Sequence, residues 1–154
     1  KEQVKAGAEV LQIFDTWAGS LPEKEFDRWC VAPLKRMVAA LRERHRDIPI
    51  ICFPRGAGEG YGRLIDEAAP DGVSLDTAFS LSRAREALQP RVTVQGNLDP
   101  LVLIAGGAPM EAAIARILDE LGDGPLIFNL GHGITPETPV EHVEALVAQV
   151  RAWR

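Results

Sequence analysis

The sequence has few of the features that mark secreted, membrane or nucleic-acid-binding proteins. It contains two cysteines, Cys30 and Cys52, a single tyrosine, and no long apolar segment. Its formal net charge of -5 comes from 17 basic and 22 acidic residues without long runs of one sign. These absences argue against a disulfide framework, a secretory signal, a membrane-spanning helix and a nucleic-acid interface. We therefore expect a cytoplasmic protein with buried thiols that binds neither nucleic acid nor membrane.

Motifs for metal, phosphate and covalent chemistry are also missing. No Cys/His pair has the spacing that is typical of zinc sites, and no G-x-S-x-G occurs. The glycine run within residues 56–62 satisfies neither common phosphate-binding pattern, so it predicts a flexible turn.

Short apolar runs alternate with longer segments of helical period, which indicates α/β architecture built from βα units around parallel strands. No linker or repeat divides the chain, so residues 1–154 are expected to form one structural piece. Five units fit either an open doubly wound sheet or part of an eight-stranded barrel. The predicted strands are 8–14, 48–53, 72–75, 92–95 and 126–130.

Three longer segments show the apolar stripe of a helix that packs on a sheet. Capping boxes with proline at the first helical position are predicted at 20–23 and 138–141. Pro33 should kink or split the first helix. His45 and His142 are expected on solvated helical surfaces. The stripes comprise Phe26, Trp29, Cys30, Leu34, Met37, Val38 and Leu41; Met110, Ala113, Ile114, Ile117, Leu118 and Leu121; and Val140, Val143, Leu146, Val147 and Val150.

Candidate site residues follow the predicted strands, because both architectures bind ligands at the carboxyl ends of parallel strands. His132 lies between two glycines, where its imidazole is open to a large ligand or bonds a neighbouring loop. Thr16 offers a hydroxyl to a carboxylate, or caps the following turn.

Charged residues follow several of the same strands and also have two interpretations. Asp15, Asp76 and Asp99 either fix turns or act as acidic groups at a site. Arg55 pairs either with an anionic substrate or with one of these aspartates.

Three strings, taken in order, are far more specific than any single residue. They are Ile-Phe-Asp-Thr-Trp-Ala-Gly at 13–19, Gln-Gly-Asn-Leu-Asp-Pro at 95–100 and Phe-Asn-Leu-Gly-His-Gly-Ile at 128–134, with Thr-Pro at 138–139. Together they resemble the uroporphyrinogen decarboxylase family along essentially the whole chain. The resemblance implies a homodimeric (βα)8 TIM barrel, of which this chain supplies about the last five βα units. It also implies cofactor-free conversion of uroporphyrinogen III to coproporphyrinogen III, by decarboxylation of four acetate side chains in haem biosynthesis.

The resemblance implies roles for three residues of this chain. Thr16, Phe14 and His132 would bind the tetrapyrrole substrate, and His132 is also a candidate for proton transfer. A central catalytic aspartate, an arginine-rich loop and a tyrosine would lie upstream of Lys1, so residues 1–154 would be the C-terminal part of one barrel domain and inactive alone. One departure is Thr77, where many members carry tryptophan.

Two other functions are alternatives to the one that the resemblance implies. One is a zinc-dependent corrinoid or coenzyme M methyltransferase of the same superfamily, and the other is a non-catalytic, barrel-derived binding module. Methyltransferase relatives tend to carry a cysteine in the turn where this chain has His132, and neither Cys30 nor Cys52 follows a predicted strand.

Overall fold

The computed structural model describes residues 2–153, which belong to two compact units. The first unit ends at Ser74 and the second begins at Leu75. Helical segments follow each of the five strands, so the predicted α/β class with five βα units is confirmed. The strands are β1 (Leu11–Asp15), β2 (Ile50–Pro54), β3 (Gly72–Ser74), β4 (Thr93–Leu98) and β5 (Leu126–Leu130).

In the first unit, β1, β2 and β3 pair in parallel, with Leu11 opposite Ile50 and Cys52 opposite Val73. Every residue of β2 is buried. This is the burial expected of a parallel strand that is covered on both faces. The helical segments of this unit are α1 (Glu2–Lys5), a 3-10 turn (Ala18–Ser20), α2 (Glu23–Phe26), a π turn (Asp27–Val31), α3 (Ala32–Arg44) and α4 (Gly60–Ala68).

The helix around Pro33 is interrupted as predicted. Pro33 lies in the first turn of α3, directly after the π turn. Because proline has no amide hydrogen to donate, a change of hydrogen-bond register before it accommodates the missing bond. Every fourth residue of the predicted stripe is buried, namely Phe26, Cys30, Leu34 and Val38. The prediction was wrong for Trp29 and Met37, which are exposed.

In the second unit, β4 and β5 pair in parallel, with Val94 opposite Leu126. The α7 stripe is buried as predicted, through Met110, Ile114, Ile117, Leu118 and Leu121. The same prediction was wrong for α8, which buries no residue. The helical segments are α5 (Leu81–Arg83), a π turn (Ala84–Leu88), α6 (Pro100–Ala105), α7 (Gly107–Leu121) and α8 (Val140–Ala152).

Several boundaries differ from the predicted ones for local reasons. The first strand starts at Leu11 rather than Ala8, because the Ala8 amide donates to the Gln3 carbonyl at 2.9 Å and ends α1. The prolines of both predicted capping boxes, Pro22 and Pro139, occupy the N-cap position itself. No side-chain cap therefore forms at either helix, and the predicted boxes were wrong.

Two histidines predicted to be solvated are instead packed. The His142 Nδ1 atom lies 2.9 Å from the Leu103 carbonyl oxygen at the end of α6, and its ring covers Gly106. The Nε2 atom of His45 is buried at the end of α3.

Within residues 2–153, the helices are too short or too polar to span a bilayer.

Candidate active site

The end of β1 carries two of the predicted site residues. Phe14 is 66% exposed, and its ring meets that of Phe53 edge-on, with centroids 6.1 Å apart and planes at 76°. Thr16 follows the strand directly and is exposed. The next helical turn has Trp17 as its N-cap without a side-chain hydrogen bond. Thr16 therefore does not cap that turn, and its hydroxyl makes no hydrogen bond within the described part of the chain.

The loops after β1 and β2 are joined through their backbones. The Arg55 amide donates to the Asp15 carbonyl at 3.1 Å, and the Gly19 amide donates to the Arg55 carbonyl at 2.9 Å. A Cβ atom on Gly19 would lie 2.5 Å from the Gly56 carbonyl oxygen, and Gly56 itself has a φ of +73°. We call this contact the glycine junction. The turn predicted for the glycine run is confirmed for Gly56 and Gly58 and was wrong for Gly60 and Gly62, which lie in α4.

Two further side chains belong to the same pair of loops. Trp17 follows Thr16 in the sequence, and Arg55 follows β2, the neighbour of β1. Trp17 is 74% exposed, an unusual state for an indole in a folded chain. The half-buried side chain of Arg55 makes no ion pair among residues 2–153, so the predicted pairing with a neighbouring aspartate does not occur. Sequence reasoning assigned no role to Trp17, although its place inside the 13–19 string was a signal.

His132 lies two residues beyond β5 and is exposed. The preceding residue, Gly131, is buried and donates its amide to the Leu98 carbonyl at 2.8 Å. A Cβ atom on Gly131 would lie 2.5 Å from the backbone nitrogen of Thr77. The His132 turn is therefore fixed on the end of β4 and on the turn that contains Thr77. The imidazole makes no hydrogen bond to the residues that the structure describes, so it does not serve to bond a neighbouring loop.

A buried amide holds the turn at 76–79. The Asn97 side chain, 6% exposed, donates to the Asp76 carbonyl at 2.9 Å and to the Phe79 carbonyl at 3.0 Å. The Asp76 carboxylate accepts from the Ala78 amide at 3.0 Å, so this aspartate fixes a turn, as one of its two interpretations predicted. We call the bonds made by Asn97, together with the contact of Thr77 and Gly131, the amide junction.

The Gln-Gly-Asn-Leu-Asp-Pro string is structural. Its residues from Gly96 onward were predicted to follow the fourth strand, but β4 runs through Leu98, so the predicted strand end was wrong by three residues. Gly96 has a φ of +133°, and a Cβ there would lie 2.9 Å from the Leu75 carbonyl oxygen. Asp99 caps α6 by accepting from the Leu101 amide at 2.9 Å, ahead of Pro100 in the first helical turn. The string thus ends a strand and starts a helix.

A cavity of about 580 Å³ lies between the 77–82 turn and α7. Its walls include the Ser80 and Ser82 hydroxyls, Leu98, and Arg116 and Ile117 of α7. Its lining includes Thr77 but not His132.

The thiols are placed where metal or nucleophilic chemistry is disfavoured. Cys30 lies in the π turn and Cys52 in the middle of β2, and both are buried. Burial raises the pKa of Cys52 to about 12. Burial, and then a hydrogen bond with Asp15, raises the pKa of Cys30 well above its usual range. Both thiols therefore stay protonated at neutral pH, whereas metal ligation and nucleophilic attack need the thiolate. Among residues 2–153, no three His, Cys, Asp or Glu side chains converge as metal ligands.

Comparison with known proteins identifies the family of this chain. The family model of uroporphyrinogen decarboxylase matches residues 1–153. The uroporphyrinogen decarboxylase of Rhodospirillum rubrum is 55% identical over 152 residues, which are 99% of this chain and 44% of that protein. The uroporphyrinogen decarboxylase of Chelativorans sp. is 50% identical with the same coverage of 99% and 44%. The chain thus spans less than half the length of the curated relatives it matches.

A solved structure supports the fold alone. A protein of Listeria monocytogenes assigned as a vitamin-B12-independent methionine synthase superposes with a TM-score of 0.61 at 18% identity, over 96% of this chain and 48% of that one. Five strands, each followed by helix, together with a family match along nearly the whole sequence, show that this chain belongs to the uroporphyrinogen decarboxylase family and contributes five βα units to its (βα)8 TIM-barrel fold.

Proposed function

We propose that the full-length gene product is a uroporphyrinogen decarboxylase, a carboxy-lyase that converts uroporphyrinogen III to coproporphyrinogen III in haem biosynthesis. One observation carries the proposal beyond family membership. Thr16 and His132, the polar residues that the family pattern marks for substrate binding, both follow strands and expose groups that no described residue bonds. Polar groups held on rigid strand ends without protein partners are suited to a ligand.

The reaction removes the carboxyl group of each of four acetate side chains. The bond between the methylene carbon and the carboxylate breaks, CO2 leaves, and the electron pair moves into a protonated pyrrole ring. A proton then returns to the methylene carbon, which becomes a methyl group, and the ring loses its extra proton. Positioned proton donors and acceptors and fixed hydrogen-bond donors are sufficient for these steps, so we propose that no metal or organic cofactor takes part.

His132 is proposed to act on the substrate through its imidazole. Histidine changes charge near neutral pH, so it can donate a hydrogen bond to a carboxylate or exchange a proton with the ring. Its exposed position between Gly131 and Gly133 leaves room for a large tetrapyrrole. These two roles differ in the size of the effect expected when the imidazole is replaced.

Thr16, Phe14 and Arg55 are proposed to bind the substrate in the first unit. The Thr16 hydroxyl can donate to a carboxylate, and the exposed Phe14 ring offers an apolar surface to the macrocycle. Because the chain is acidic overall, a substrate with many carboxylates has to be met by local donors. The guanidinium of Arg55, which makes no ion pair with described residues, fits that need.

The proposal extends to the rest of the protein. Residues 1–154 would be the C-terminal part of a single barrel domain, with the central aspartate, an arginine-rich loop and a tyrosine upstream of Lys1. The chain alone would then be inactive. We further propose a homodimer in the cytoplasm that binds no nucleic acid or membrane.

The test is the His132→Asn variant of the full-length gene product, assayed with uroporphyrinogen at saturating and subsaturating concentrations. Because His132 is exposed, the replacement should leave the fold intact. Loss of a positioned proton-transfer group should lower turnover by about 100-fold or more. Loss of a binding contact alone should lower it by only about 10-fold.

Thr16→Val provides the matched binding control. It removes the hydroxyl at nearly constant volume and should raise KM more than it lowers kcat. Full activity of His132→Asn at both substrate concentrations would remove His132 from the site. A wild-type protein that folds but does not decarboxylate uroporphyrinogen would overturn the proposed function itself.

A further inference from the structure

The His132 turn packs against one exposed side chain, Thr77. A Cβ atom on Gly131 would lie 2.5 Å from the Thr77 nitrogen and 2.7 Å from its methyl carbon Cγ2. The Gly131 backbone therefore approaches Thr77 so closely that no side chain fits between them. Gly131 is buried while Thr77 and His132 are exposed. The backbone and the methyl group of Thr77 thus both lie against the backbone one residue before the imidazole.

Both sides of this contact are fixed by hydrogen bonds. Asn97 holds the turn that contains Thr77, through the Asp76 and Phe79 carbonyls. The Gly131 amide is bonded to the Leu98 carbonyl. The Thr77 side chain is therefore a part of the contact that can be changed without breaking any of these bonds.

We infer that Thr77 is a positioning residue, whose methyl group, packed against Gly131, sets the orientation of the His132 imidazole toward the substrate. The inference rests on the proposed function and assigns Thr77 no contact with the substrate itself. A shift of a fraction of an ångström at a reacting group has large effects on rate, which is why a packing contact one residue away can matter.

The first experiment separates the methyl group of Thr77 from its hydroxyl in the full-length gene product. Thr77→Ser removes the methyl group and should lower kcat/KM for uroporphyrinogen by about 5-fold. Thr77→Val keeps the shape and should stay within about 2-fold of wild type. The matched control is Thr93→Ser. It makes the same change at the first residue of β4, whereas Asn97, which holds the Thr77 turn, is near the last, and it should leave kcat/KM unchanged. Equal activity of Thr77→Ser and wild type would overturn the inference.

A second experiment asks whether Thr77 acts through His132. In the His132→Asn background, Thr77→Ser should have no further effect on kcat/KM, because the imidazole that it positions is gone. The same 5-fold loss in both backgrounds would mean that Thr77 touches the substrate or serves the fold generally, and the inference would be wrong.

A third measurement does not depend on activity. The imidazole resonances of His132, followed by NMR in the substrate-free protein, should shift in Thr77→Ser and stay in place in Thr77→Val. Unmoved resonances in Thr77→Ser would overturn the positioning role. If the wild-type protein fails to decarboxylate uroporphyrinogen, the proposed function fails, while this comparison still decides the role of Thr77.

Discussion

The two units hold their strand-end loops together by opposite means. In the glycine junction, backbone meets backbone, and the contact exists because Gly19 and Gly56 have no side chains. In the amide junction, a buried side chain, Asn97, reaches across and satisfies two carbonyl oxygens. The first contact depends on the absence of side chains at two glycines. The second depends on hydrogen bonds whose loss is costly because the amide is buried. Each candidate site residue lies next to one junction, so each unit can be perturbed separately.

The largest effect is expected at the amide junction. Asn97→Ala removes both hydrogen bonds of this buried amide and its packing, although the Asp76 carbonyl keeps the Phe79 amide as a donor at 3.1 Å. It should lower the free energy of unfolding of the full-length protein by roughly 2–4 kcal/mol. Urea denaturation measures this directly. The matched control is Asn129→Ala, since Asn129 lies opposite Asn97 on β5 but is exposed. That change should cost less than about 1 kcal/mol. Equal losses in the two variants would show that the Asn97 bonds do not stabilise the junction.

A smaller effect is expected at the glycine junction. Gly19→Ala forces a methyl group against the Gly56 carbonyl, and should cost about 1–3 kcal/mol in the same denaturation assay. Gly58→Ala is the control, because its φ of +52° is strained for alanine while no atom lies within 4 Å of the added carbon. Strain alone should cost about 1 kcal/mol. A greater loss at Gly58 than at Gly19 would mean that crowding is not what requires the glycine.

The smallest effect is a loss of stability at alkaline pH. It belongs to the first unit, which contains both cysteines. Burial raises the pKa of Cys52 from 9.0 to about 12. The protonated thiol therefore contributes stability that is fully present below pH 9 and is lost as pH rises through about 12. Between pH 9 and 11, the unfolding free energy of the wild type should therefore fall relative to that of Cys52→Val. A difference that does not change with pH would contradict the buried-thiol assignment.

The sequence predicted the strands well because parallel strands are short, continuous apolar runs. It misplaced the end of β4 because Gly96 and Asn97 are typical turn residues, and their place in a strand depends on contacts with Leu75 and the 76–79 turn. The apolar stripes of α7 and α8 are similar, yet only α7 buries its stripe. Periodicity gives the face of a helix and not whether a neighbour covers it.

The candidate site was predicted in part. Thr16 and His132 follow strands, as the alternation of apolar runs and polar residues indicated. Which of their two interpretations holds could not be read from the sequence, because a hydroxyl or imidazole is free or bonded only in relation to neighbours distant in the chain. Asn97 was overlooked for the same reason, since its two acceptors lie 21 and 18 residues away.

The structural character of the Gln-Gly-Asn-Leu-Asp-Pro string bears on how genomes are interpreted. Gly96, Asn97 and Asp99 each have a role in the backbone around β4 and α6, and that role does not depend on the reaction that the protein catalyses. A related protein that lost His132 could keep the string and the same strand end. A sequence search based on the string would still find that protein. The string is therefore a record of ancestry. Under the proposed function, Thr16 and His132 taken together are the better guide to whether a given descendant has kept the activity.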